Sequence, residues 1–233
     1  DLVLAADDSI IERSFGTTRV VTEPAPEVLG EGTRMGIASL AADGDGALRR
    51  MPRYPNSFMA ELLNAVGAKP DVAGRGGDLI QYFGPAGSYP TVSYYQALEP
   101  EVFLPADYFR DQVVIVGFAL QAGPEVQSGG ADAFVTPYTA RTQLLTPGVE
   151  VQATIFDNFR NGMTISPVPR WAEILFIALG GILALAAARP RMLVIRFIGA
   201  IGLLALVVLA SWLTVRAPAV SSRSIRRRVV NIE

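Results

Sequence analysis

Over the first two thirds of the chain, apolar β-rich runs alternate with helix-like segments, and two long uncharged runs follow. LVLAA (2–6), RVVTE (19–23), MGIASLA (35–41), LIQYF (79–83) and QVVIVGFAL (112–120) read as strands. The last is nearly continuous in apolar residues, as in strands buried on both faces of a parallel sheet. FMAELLNAVGA (58–68) reads as a helix with one apolar side and Gly67 near its stop. The alternation predicts an α/β domain, a mostly parallel sheet flanked by helices. ADGDGALRRMP (42–52), PDVAGRGGD (70–78) and GPAGSYP (84–90) read as turns or loops, and no internal repeat is present.

The sharpest helical pattern is VEVQATIFDNFRNG, entered through Pro147 and Gly148. Val151, Ile155 and Phe159, joined by Val149, Ala153 and Phe156, make a broad apolar face. Glu150, Thr154, Asp157, Asn158 and Asn161 fall on the opposite side, and Gly162 ends the helix. MTISPVPR then leads into WAEILFIALGGILALAAA (171–188) and FIGAIGLLALVVLASWLTV (197–215). At about 1.5 Å per residue each run reaches roughly 27–29 Å, enough for a transmembrane helical hairpin. Arg189, Arg191 and Arg196 in the connection place it in the cytoplasm, and Trp171 and Trp212 then share the outer interface. The domain at 1–166 is therefore expected outside the bacterial cytoplasmic membrane, on the periplasmic side, with the lipid bilayer as its partner. Gly180, Gly181, Gly199 and Gly202 suit close packing of the two spans, and Glu173 reads as an interfacial carboxylate.

Composition adds exclusions. The 233 residues are 50% hydrophobic, with a mean hydropathy of +0.33 that the two long runs explain. There is no cysteine and no histidine, which removes Cys/His zinc sites, thiol nucleophiles, haem ligation by those residues and any imidazole base. Formal charge is −2, and Lys69 is the one lysine, the remaining 19 of the 20 basic residues being arginine. No basic face suggests nucleic acid. The start DLVLAADDSI lacks the pattern of a signal peptide, so export implies a membrane segment upstream.

Three ordered blocks carry a family resemblance: FGPAGSYPTVSYYQAL (83–98), DQVVIVGFAL (111–120) and VTPYTARTQLLTPGVEVQATIFDNFRNG (135–162). Together with DGDGALRR (43–50) they resemble the CHASE type-two domain, an extracytoplasmic sensory domain of bacterial signalling proteins. The matching positions are Gly84, Pro85, Gly87, Pro90 and Ser93; Val113 to Gly117; Thr136 and Pro137; and Pro147, Gly148, Val149, Glu150, Ala153, Asp157 and Asn158. Gln152 stands where that family usually has histidine, the stretch after Gly117 lacks its usual Ala-Thr-Ala run, and the family's first strand is absent. The chain therefore reads as a fragment. The resemblance implies a membrane-anchored receptor that hands an outside signal through its spans to a nucleotide cyclase or protein kinase. It also implies a homodimer or larger membrane complex and an unknown small-molecule or envelope ligand. The alternative is a non-signalling accessory subunit docking on the outer face of a membrane complex. The tail 217–233, rich in arginine, reads as discontinuous or truncated, its SIRRR cluster belonging inside.

Each candidate site has two readings. DGDG (43–46) resembles the start of a calcium loop, but Tyr54 occupies the twelfth position, so a polar turn is expected and no metal. Arg49 and Arg50 either meet an anionic ligand or pair with neighbouring aspartates. GPAGSYP could cradle an anion with backbone amides or serve as a tight connection. Glu150, Asp157 and Asn158 either contact a ligand or anchor their helix to neighbouring loops. No nucleophile, base and oxyanion set can be assembled, so no catalysis and no cofactor are expected of this chain.

Overall fold

The long first strand, β1 (Val3–Arg13), runs antiparallel to β2 (Gly16–Thr22) and parallel to β3 (Arg34–Ile37), giving the order β2-β1-β3. In register, Asp7 faces Thr22 across the first pairing and Ala6 faces Ile37 across the second. The computed structural model describes residues 1–13, 16–68, 76–119, 132–187, 201–202 and 229–232.

Helix α1 (Phe58–Ala65) starts at Ser57, whose buried hydroxyl accepts the Ala60 N–H at 3.4 Å. It buries Met59, Ala60 and Leu63. Gly36 lets this helix sit directly on β3, since a methyl there would stand 2.6 Å from the Phe58 Cα. A second sheet has the order β4-β8-β5, all parallel, from β4 (Thr91–Val92), β5 (Val113–Val116) and β8 (Val229–Ile232). The short helices α2 (Tyr94–Leu98) and α3 (Pro100–Phe103) lie between β4 and β5 in the chain. A third, antiparallel pair joins β6 (Ala133–Phe134) to β7 (Thr146–Pro147), with α4 (Thr139–Thr142) between them.

Helix α5 (Gly148–Asn161) is the centre of the core. Val151, Ala153, Ile155 and Phe156 are fully enclosed and meet Leu48, Met59, Leu63 and Ile115. It ends at Gly162, at φ 64°, as its sequence predicts; the Gly162 and Met163 N–H groups close onto Phe159 and Asn158 carbonyls. Its expected polar side is a correction. Glu150, Thr154 and Asn158 are buried, because residues 81–89 cover that side and bond to it.

Other expectations change as well. The single, mostly parallel sheet is replaced, among the described residues, by three small sheets of mixed pairing. LIQYF is not a strand: Leu79 makes only isolated bridges to Arg50 and Ile165, and the Gln81 backbone is taken by a side chain. From the tail, Val229–Ile232 pairs within the second sheet, so those residues belong to the same compact unit as Asp1–Ser166.

The second unit, Pro167–Ile225, contains α6 (Arg170–Ala187), which covers most of the first expected span. Among the described residues no helix is long and apolar enough to cross a membrane. Arg170 and Glu173 occupy the first turn of α6, and the uncharged run 174–187 gives about 21 Å of helix against a hydrocarbon core of roughly 30 Å. Trp171, Ile174, Phe176, Ile177 and Ile182 are exposed. The second expected span lies outside the described residues apart from positions 201 and 202, as do Trp212, Arg189, Arg191 and Arg196.

Candidate functional site

Helix α5 presents two chemically different sides. At 100° per residue, Glu150, Thr154, Asp157 and Asn158 fall together, while Gly148, Val149 and Gln152 fall opposite them.

The first side is a clamp. The Glu150 carboxylate, 5% exposed, accepts the Gly87 N–H at 2.9 Å and the Ser88 N–H at 2.8 Å. Gly87 has φ 84°, a conformation that aims successive amides at one point. The loop GPAGSYP thus cradles an anion, and that anion is the protein's own glutamate. Asn158 is wholly buried; its Oδ1 accepts the Gln81 N–H at 2.7 Å, and its Nδ2 donates to the Gln81 and Thr154 carbonyls at 2.9 and 2.8 Å. The Tyr89 hydroxyl donates to Asp157 at 3.0 Å. Burial raises the pKa of Asp157, and the Tyr89 bond opposes that shift. Burial and the neighbouring Asp157 charge push the Tyr89 phenol above its ordinary value.

Arg49 and Arg50 lie elsewhere, on the turn after Gly46. Arg49 forks onto Asp45 at 2.8 and 2.7 Å, and Arg50 reaches Asp43 at 3.0 Å and the Gly77 carbonyl at 3.3 Å. The Arg49 bond holds the Asp45 carboxyl down to about 2. The acids of DGDG are therefore spent on these arginines. Among the described residues the five expected ligand residues fall in two places: three grip one loop and two close one turn.

The opposite side of α5 faces open space. A cleft of about 150 Å³ lies where β3 and β5 end and α5 begins. Crevices at the carboxyl ends of parallel strands are the usual ligand sites of α/β folds. Its walls are mostly apolar, among them Ala38, Leu40, Phe58, Ile115 and Val116. Two glycines shape it. A methyl on Gly117 would come within 2.8 Å of the Val149 Cβ, and one on Gly148 would overlap the Asp132 carboxylate. Gln152, in the position where the resemblance places histidine, donates its amide to the Ala38 carbonyl at 2.7 Å and so ties α5 to the exit of β3.

Asp132 supplies the charge. Its backbone carbonyl accepts the Gly148 N–H at 2.7 Å, but its carboxylate makes no hydrogen bond or ion pair among the described residues. Asp132 is exposed at its outer side, yet burial of the carboxyl against the cleft raises its pKa, and the negative Asp7 adds to the shift. Asp7 itself is held low by bonds from Ser9 and Ser39. Among the described residues no group of three or more acids could hold a metal ion.

Sequence reasoning missed Asp132, Phe58 and Ala38. The available signal was positional: Val116 and Gly117 end the most hydrophobic strand, and a parallel strand's carboxyl end is the first place to look. A family model for the CHASE2 domain matches residues 2–186 of the chain. No curated protein and no solved structure matches it.

Proposed function

The chain belongs to the CHASE2 domain family, a family of extracytoplasmic sensory domains, and we propose that it is the receiving part of a membrane-anchored bacterial receptor. The family match over residues 2–186 carries this reading. The cleft beside Asp132 is its signal-receiving site, and the chain catalyses no reaction of its own. A small ligand there would touch the end of β5, the exit of β3 and the first turn of α5 together. Because the far side of α5 is clamped by Glu150 and Asn158, a shift of its first turn would be carried along the helix rather than absorbed locally.

The anchor in this proposal is the pair of segments 171–188 and 197–215. The pairing of β8 with β4 and β5 supports an even number of crossings, because residues 229–232 share a sheet with residues that precede the hairpin. Two spans meet that condition. The output, a cyclase or a kinase, is then reached through the arginine-bearing connection or through a further crossing.

Fractionation tests the placement. The full chain expressed in a bacterium is expected to stay with membranes through carbonate extraction, and protease added to intact spheroplasts is expected to cut the 1–166 domain. Recovery in the carbonate supernatant, or a domain cut only after the membrane is opened, overturns the proposal.

A further inference from the structure

The walls of the cleft fix the size and polarity of what fits it. A mostly apolar cavity of about 150 Å³ accommodates a molecule of roughly benzene size. Ala38, Leu40, Phe58, Ile115 and Val149 offer dispersion contacts and no polar side-chain group. Gln152 uses one of its two amide N–H groups on the Ala38 carbonyl.

The charge of the occupant follows from what is left over. The Asp132 carboxylate takes none of the first-turn amides of α5, since Gly148 donates to the Asp132 backbone instead. Among the described residues no arginine or lysine lines the cleft. An anion entering the cleft would meet Asp132 at the rim with Asp7 behind it. A neutral apolar molecule would take water from one side of the carboxylate and offer it no charge in return. A cationic amine satisfies it, and a charge-assisted bond on a partly dry surface is stronger than one in water.

We propose that the cleft binds a small organic cation, an apolar body of benzene size bearing one protonated amine that pairs with Asp132. This rests on the reading of the cleft as the sensory site and names the ligand class for it. Such a ligand pins the β5 end and the β3 exit, through its apolar body, to the loop that holds Asp132. Its ammonium group lies beside Gly148, where any side chain would displace the carboxylate it needs.

Calorimetric titration of the full chain in a nonionic detergent tests the class with three probes of one shape: benzylamine, benzyl alcohol and benzoate. Benzylamine is expected to bind at the millimolar concentrations a ligand of this size requires. Benzyl alcohol is expected to bind about tenfold more weakly, a difference of about 1.4 kcal/mol, and benzoate not at all. Asp132→Asn is expected to lower benzylamine affinity about tenfold and leave benzyl alcohol unchanged. Among the described residues the Asp132 side chain holds no other group in place, so the variant is expected to keep the native melting curve, which circular dichroism checks. Equal affinities for amine and alcohol, an unaltered amine affinity in Asp132→Asn, or no benzylamine binding overturns the proposal. Val116→Trp, at an exposed position on the rim, plugs the cleft without touching the core. Benzoate binding that Val116→Trp abolishes rejects the cation class while leaving the cleft as a sensory site; membrane fractionation tests the receptor reading separately.

Discussion

Replacing Glu150 by alanine removes the anion around which residues 87 and 88 are folded. Two backbone N–H groups lose a charged acceptor, at 2.9 and 2.8 Å. Hydrogen bonds to charged groups contribute about 1.5–3 kcal/mol each, which sets a range of about 3–6 kcal/mol. The lower end applies here, for two reasons. Gly87 and Ser88 are exposed, so water can take up the freed amides, and loss of a carboxylate that is 5% exposed also removes its own desolvation penalty. The expected loss is therefore about 3 kcal/mol for Glu150→Ala, and about half that for Glu150→Gln, which keeps one acceptor oxygen. For a domain of this size these correspond to melting shifts of roughly 6–12 °C and 3–6 °C. Thermal unfolding followed by circular dichroism measures the shift. Amide hydrogen exchange localises it, with faster exchange expected at Gly87 and Ser88 in both variants. A Glu150→Ala protein that melts with the wild type, or exchanges normally at those two amides, refutes the clamp.

Three further outcomes follow from the same geometry. Asn158→Ala takes the side-chain partner from the N–H and C=O of Gln81, empties a wholly buried position, and is expected to destabilise by about 2–4 kcal/mol in urea unfolding. Asp157 has a raised pKa in the folded protein, so its contribution to stability is full below the ordinary carboxylate value of 3.8 and is lost as pH rises through the folded value. Asp157→Asn, which can still accept from Tyr89, is therefore expected to be more stable than wild type at pH 7, with the gap closing as pH falls through the raised folded value and gone below 3.8; a gap that widens in acid contradicts the burial argument. Gly36→Ala sets a methyl against the Phe58 backbone at 2.6 Å and is expected to lower the unfolding free energy, measured in urea, by about 1–3 kcal/mol, whereas Gly44→Ala, which meets nothing within 4 Å, leaves it unchanged.

What the sequence disclosed was governed by local rules. Helix α5 could be placed from its apolar spacing and stopped at Gly162, because both signals lie within the helix and its next residue. Its polar side was read as facing outward for the same reason: a polar stripe signals solvent unless something distant covers it. Here the covering residues are 62 to 77 positions away in the chain, and no periodicity reports them. LIQYF has the composition of a strand, yet the Asn158 amide occupies the Gln81 backbone and leaves nothing for a ladder. The tail strand β8 is four residues long and follows a run of arginines, so only its pairing with β4 and β5 identifies it. The spacing put Glu150, Asp157 and Asn158 on one helix side, and the structure gives all three internal partners. Asp132 was invisible, since its interest lies in having no side-chain partner among the described residues and in the two glycines that make room beside it.

If the cleft receives the signal, plugging it must abolish ligand binding. Thermal-shift screening of a small-molecule library against the full chain and against Val116→Trp, side by side, measures this directly. The expected result is a set of compounds that stabilise the native chain and have no effect on the plugged variant. Compounds that stabilise both proteins equally would place recognition elsewhere and contradict the central claim.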